Sequence, residues 1–84
     1  PAQRRRGVAA AVLRSSLQSC HDAGAQTMFL EVAIDNLSAQ ALYERYQFTR
    51  VGTRPDYYAR PDGTRMHAYT MRADIVGALA VPGI

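Results

Sequence analysis

Between Gly7 and about Ala23 the apolar residues Val8, Ala9, Val12, Leu13, Leu17 and Cys20 return at helical spacing, while Arg14, Gln18 and Asp22 fall elsewhere. Such a stripe predicts an amphipathic helix, and Gly24 supplies a left-handed stop. From Thr27 to Ile34 the pattern changes to an almost unbroken apolar run, expected of a strand covered on both faces, with Glu31 as its one charge. Asp35 or Asn36 can cap a second helix, Leu37 to Tyr46, whose Ala39, Leu42, Tyr43 and Tyr46 share a side. Thr49 to Thr53 and Arg65 to Met71 read as strands on either side of the turn Pro61-Asp62-Gly63, a terminal hairpin. The segment from Asp74 to Ile84 is apolar but holds Gly77, Pro82 and Gly83, so a short helix and an unstructured tail suit it equally. The order helix, strand, helix, strand, strand predicts an α/β fold on a mixed sheet, with residues 1–73 as the domain and 74–84 as a tail.

At 84 residues the chain has room for one small domain, which buries roughly 60 to 65% of its unfolded surface. Hydrophobic residues at 48% and charged ones at 20% are ordinary for a globular chain and argue against disorder. All ten cations are Arg, giving a net charge of +3. Arg forks phosphate well, but an all-Arg set also follows from genome composition, so nucleic acid is not the expected partner. The single Cys20 excludes an internal disulfide and makes a reducing cytoplasm the default. No stretch reaches the roughly 18 apolar residues of a membrane span. Pro1 stands where Met would begin a chain, and the first helix lacks the strand that precedes it in phosphate-binding folds. An N-terminal part is therefore expected to be missing.

Chemistry concentrates first at Gln3-Arg4-Arg5-Arg6-Gly7-Val8-Ala9, the opening of the leading helix. A helix N-terminus has unpaired N–H groups and about half a positive charge, and small residues there let an anion touch the backbone. Three arginines at that end oppose the dipole, at a cost of about 0.3 to 1 kcal/mol each if exposed, unless an anion is bound nearby. A plain helix start with an Arg-rich first turn is the alternative.

Arg4-x-x-Gly7-x-Ala9 resembles the Gln/Arg-x-x-Gly-x-Gly/Ala signature of the GNAT superfamily of acetyl-CoA-dependent N-acetyltransferases. Leu30-Glu31-Val32, Asn36, Ala39, Leu42-Tyr43-Glu44, Phe48, Gly52 and Tyr57-Tyr58 follow in order and at the spacing of its ribosomal-protein-alanine N-acetyltransferase branch. The likeness runs from Pro1, similar to the proline closing the loop after the fourth strand, to about Met71. It covers roughly the C-terminal half of the usual domain, so a GNAT-like C-terminal half is the expected fold.

The resemblance implies that acetyl-CoA is the co-substrate and that the signature segment, Arg4, Arg5, Arg6, Gly7, Val8 and Ala9, holds its pyrophosphate. It implies Glu31 as the general base that deprotonates the attacking amine through water, and Tyr43 as the general acid that returns a proton to the CoA thiolate. Apolar neighbours Leu30 and Val32 would desolvate Glu31, which favours a basic carboxylate; a surface ion pair with Arg is the alternative. Reference pKa values of about 10 for a phenol and about 8.5 for a thiol make full transfer from Tyr43 uphill, so a strong hydrogen bond can serve instead. On periodicity alone Tyr43 is a core aromatic.

Asn36 is implied as a cofactor contact, though it is equally a helix cap. Tyr57 and Tyr58 are implied to line the acceptor-peptide groove, against the reading of cross-strand aromatics in a hairpin. His21 and His67 are isolated, so no metal is expected, and Cys20 reads as packing. Two departures stand out: Gln47 occupies the usual position of a helix-ending Gly, at a cost of about 1 to 2 kcal/mol, and His67 replaces an acidic residue. The expected activity is acetyl transfer to a protein N-terminal amine, with a small-molecule amine as the rival acceptor. A non-catalytic binding module whose arginines meet an acidic partner, and assembly as a homo-oligomer, complete the alternatives.

Overall fold

The computed structural model describes residues 2–82, without the side chains of residues 2–6 and 58; Pro1 lies outside the described residues. Helix α1 runs Ala2–Asp22, strand β1 Thr27–Ala33, helix α2 Leu37–Arg45, strands β2 Thr49–Ala59 and β3 Arg65–Asp74, and helix α3 Ile75–Leu79. The element order is the expected one with α3 added, so the helical alternative for the start of the last segment is the one formed. Ile75 and Ala78 are wholly buried in the common core, and the Ile75 N–H donates to Gln26 O at 2.9 Å.

The buried stripe of α1 is Ala10, Leu13 and Leu17, with Cys20 packed against it. This corrects the expected stripe: Val8 and Val12 are 65% and 60% exposed. Both sit on a second apolar face, and a helix can turn only one stripe onto the core. Gly24, at φ 91°, turns the chain after α1, as expected.

Helix α2 opens on Asn36, whose Oδ1 accepts from the Ala39 N–H at 3.2 Å; Asp35 instead pairs with Arg60 at the far hairpin turn. The helix ends through Gln47, which holds φ 72°. The Phe48 N–H donates to Tyr43 O at 3.0 Å and the Gln47 N–H to Glu44 O at 3.1 Å, the paired bonds of a Schellman closure. The left-handed ending thus survives the loss of glycine, with a Cβ carried in a disfavoured region.

The sheet has the order β1-β3-β2, and both ladders are antiparallel. The expected mixed sheet is corrected here. The short turn after β2 forces β3 to run back beside it, and β3 then fills the place between β2 and β1. Strands β1 and β2 share a direction without being neighbours, so no parallel ladder forms among the described residues. At the turn, the Thr64 N–H and hydroxyl both donate to Asp62 Oδ1, at 2.9 and 2.7 Å, and hold the Asp62 carboxyl below its ordinary range.

The core gathers on one side of the sheet, where Tyr46, Phe48, Leu17, Met71 and Ile75 are fully buried. Each contributes roughly 1.5 to 3 kcal/mol by leaving water. Strand β1 is not covered on both faces as its composition predicts: Phe29 is 61% exposed. Replacing Gln47→Gly should stabilise the chain by about 1 kcal/mol through relief of the left-handed backbone, read as a higher denaturant midpoint with an unchanged slope.

Candidate functional site

Strand register decides which candidates share a face. Glu31 stands opposite Thr70, which stands opposite Gly52, while Leu30 pairs with Met71 and Val32 with Tyr69. Because successive side chains alternate, Leu30, Val32 and Met71 face the helices and Glu31 faces the other way. The apolar neighbours expected to desolvate Glu31 therefore lie on the opposite side of its strand.

On its own face, Glu31 is 19% exposed, and donors from both other strands approach it. The Thr70 hydroxyl donates to Oε2 at 2.5 Å, and Arg54 Nη1 lies 3.7 Å from Oε1. Arg54 also stacks its guanidinium 4.6 Å from the centre of the Tyr57 ring. Glu31, Thr70, Arg54 and Tyr57 thus form one cluster from three strands. Thr70 and Arg54 were not singled out in the sequence, since nothing local links them to a glutamate 39 and 23 positions away; only the strand register does.

Tyr43 lies on the helical side. Its ring centre is 5.7 Å from that of Phe48, the residue whose N–H closes α2 onto the Tyr43 carbonyl. Tyr43 lines an open cavity of about 400 Å³ together with Ala9, Val12, Leu13 and Ser16 of α1, Met28 and Leu30 of β1, and Leu42. The cavity is predominantly apolar. The outward apolar face of α1 borders it, which gives Val12 a role that core packing does not.

At the start of α1 the helix begins at Ala2, five residues before the expected start. The amides of Arg6, Gly7, Val8 and Ala9 consequently lie inside the helix, where N–H groups bond to carbonyls four residues back. The donors a helix leaves unpartnered fall in its first turn instead. Gly7, Val8 and Ala9 are exposed, and the first turn contains no acidic residue. A Cβ built on Gly7 meets nothing within 4 Å, and its φ is not in the left-handed region. Nothing in the described chain therefore requires glycine at this mid-helix position. The Arg4, Arg5 and Arg6 side chains, and that of Tyr58, lie outside the described residues.

Asn36 serves as the α2 cap, and its Oδ1 also accepts from Ser38 Oγ at 3.3 Å. Tyr57 is 43% exposed. It is carried on a β2 bulge: Arg54 pairs with Ala68 and Tyr58 with Met66, leaving Pro55, Asp56 and Tyr57 opposite His67 alone. Among the described residues no helix is long and apolar enough to cross a membrane, and no three metal-ligating side chains come together.

A three-stranded antiparallel sheet with a helix between its first two strands, a glycine-bearing helix ahead of it and a tyrosine-lined apolar cleft define a class. The profile of the Acetyltransferase (GNAT) family matches residues 1–48, and the chain belongs to that family. It is 35% identical over 71 residues to the [Ribosomal protein bS18]-alanine N-acetyltransferase of Haemophilus ducreyi, covering 84% of this chain and 49% of that protein. It is 43% identical over 74 residues to the N-alpha-acetyltransferase RimI of Mycobacterium tuberculosis, covering 88% of this chain and 43% of the relative. Its fold superposes on the crystal structure of the ribosomal-protein-S18-alanine N-acetyltransferase from Escherichia coli with a TM-score of 0.72 at 35% identity, over 89% of this chain and 48% of that one. The chain spans about half the length of these relatives.

The Glu31 cluster is exposed enough that its members can be changed singly. Thr70→Val should cost about 0.5 to 1.5 kcal/mol for the lost hydrogen bond, and Arg54→Ala less than about 1 kcal/mol for a largely exposed ion pair. Thermal or urea unfolding of the two variants measures both.

Proposed function

We propose that this chain supplies the acetyl-CoA-binding and proton-transfer elements of an N-acetyltransferase whose acceptor is the N-terminal amine of a protein, with the ribosomal-protein alanine amine as the preferred case. The observation that carries this reading is the placement of the two candidate proton-transfer groups on opposite faces of one strand. A carboxylate on one face of β1 and a phenol beyond the other can address the same reacting centre only around the edge of that strand or past its end. Strand β3 occupies one edge of β1, and no described strand occupies the other. A thioester lying along that open edge has Glu31 on the acceptor side and Tyr43 on the leaving-group side.

The remaining parts fit such a path. The apolar cleft bordered by Val12, Leu30, Leu42 and Tyr43 suits the extended arm that carries the thioester. Arg4, Arg5, Arg6, Gly7, Val8 and Ala9 form the diphosphate side of the site. Cations and first-turn amides supply the charge there, and the missing side chain of Gly7 lets the ligand lie against the helix. A glycine in mid-helix costs about 0.5 to 1 kcal/mol relative to alanine, and the packing of this chain gives no return for it. Glu31 takes the proton of the amine through water, and the amine attacks the acetyl carbonyl directly. Tyr43 then stabilises the departing thiolate by a hydrogen bond. Tyr57 and Tyr58 border the acceptor. Asn36 contributes its cap to the geometry of α2 and so to the setting of Tyr43, and it contacts the cofactor in addition. A cytoplasmic setting accompanies this reading.

Gly7→Ala separates ligand contact from folding: the variant should unfold at higher denaturant, by about 0.5 to 1 kcal/mol, yet bind CoA about tenfold more weakly, equivalent to about 1.4 kcal/mol, by calorimetric titration. Unchanged CoA affinity would remove the diphosphate from this helix. In the full-length protein, Glu31→Gln should lower kcat/KM about 100-fold or more, the usual contribution of a general base. Tyr43→Phe should lower kcat with little change in the KM for peptide. Faster acetylation of small amines than of alanine-initiated peptides would reassign the acceptor.

A further inference from the structure

His67 is a residue the proposed reaction does not use, yet it sits where the acceptor side of the site is built. Three residues of β2, Pro55, Asp56 and Tyr57, bulge out opposite it. Asp56 holds φ 54°, a left-handed conformation that a non-glycine residue adopts at a cost and that needs an anchor. The anchor is the imidazole: the Asp56 N–H donates to His67 Nδ1 at 3.0 Å. An Nδ1 that accepts carries no proton, so this contact belongs to the neutral ring protonated on Nε2.

The groups around this contact favour a change of partner when the ring becomes charged. Asp56 Oδ1 lies 3.9 Å from the same Nδ1. From β3 itself, Arg65 Nη1 donates to the Asp56 carbonyl at 3.3 Å, and on the β1 side the His67 carbonyl accepts from the Ile34 N–H at 3.1 Å. Protonated Nδ1–H opposes the Asp56 N–H and is drawn to the Asp56 carboxylate. The hydrogen bond from the Asp56 N–H is then lost, and the Asp56 carboxylate becomes the acceptor for the ring N–H.

We infer that His67 is a positioning residue that tethers the β2 bulge in its neutral form and releases it when protonated, coupling acceptor binding to pH. The bulge carries Tyr57 and follows Arg54, the two side chains stacked beside Glu31. Release therefore alters the acceptor border while leaving the Glu31–Thr70 contact, which spans β1 and β3, in place. The tether follows from the geometry alone; its effect on the acceptor rests on the function proposed above.

Amide hydrogen exchange on the 84-residue chain, corrected for intrinsic rates, tests it by comparing about pH 8 with about pH 5.5. The Asp56 amide should lose about three- to tenfold of its protection on acidification, while the Met71 amide in the centre of β3 is unchanged. His67→Asn places an amide oxygen near the position of Nδ1 without a titrating proton and should keep Asp56 protected at both pH values. His67→Leu should leave it unprotected at both. Equal protection of Asp56 at the two pH values in the parent chain, or retained protection in His67→Leu, overturns the tether. Binding of an alanine-initiated peptide to the full-length protein should weaken on acidification in the parent and not in His67→Asn. Peptide binding that is absent at both pH values, with the Asp56 pattern intact, rejects the acceptor reading and with it the coupling, leaving the tether established.

Discussion

Strand β3 lies between β1 and β2, and its pairing with both determines which face Glu31, Thr70 and Arg54 share. Thr70 faces Glu31 on one side and Gly52 on the other, so the row that carries the carboxylate is set by backbone hydrogen bonds across three strands. A one-residue slip in either ladder would exchange faces for a whole strand. In the β1–β3 ladder it would drive Glu31 into the helices and turn Leu30 outward. Register is secured by burial: Met71 and Ala73 are inaccessible on the helical side, and their partners Leu30 and Met28 pack against the same core. The hydrophobic effect on one face therefore fixes the polar arrangement on the other.

The second constraint is local and acts at the end of α2. Gln47 takes the left-handed conformation that turns the chain sharply, and Phe48 follows directly into the core beside Tyr43. One closure thus ends the helix, starts the path to β2 and places an aromatic wall against the ring proposed to face the leaving group. The stabilisation comes from a wholly buried Phe48 and two capping hydrogen bonds, which outweigh a backbone cost of about 1 to 2 kcal/mol. Burial of Tyr46 at the same corner leaves its hydroxyl as a buried polar atom without a hydrogen-bond partner among the described residues, with the Arg14 guanidinium 5.9 Å from its ring centre. Tight apolar packing at this corner outweighs polar satisfaction.

Membership of the GNAT family gives these features a common purpose. The outward face of α1, the cleft against Tyr43 and the side of β1 that no described strand covers leave Val8, Val12 and Phe29 largely exposed. Such surfaces are expected where a ligand or further structure completes the core.

Much was legible in the linear pattern because it depends on neighbours a few positions apart. The α1 and α2 periodicities, the stop at Gly24, the cap at Asn36 and the turn at Pro61-Asp62-Gly63 all follow from local backbone physics, while the spacing of Gly7, Glu31, Asn36 and Tyr43 carried the family and through it the unusual Gln47. The stripe of α1 was misread in part because Val8 and Val12 fit a helical period as well as Ala10 and Leu17 do; periodicity cannot distinguish a face turned to the core from one turned to a cleft. The mixed sheet was misread because strand direction does not reveal which strands become neighbours. Sequence by itself thus determined the elements, their order and the chemical identity of the candidate groups. Only the tertiary structure decided that β3 inserts between β1 and β2, that Glu31 and Tyr43 occupy opposite sides of one strand, that Thr70 and Arg54 meet Glu31, and that His67 meets the Asp56 amide. Those contacts link residues distant in the chain and exist only once the core has fixed the strand register.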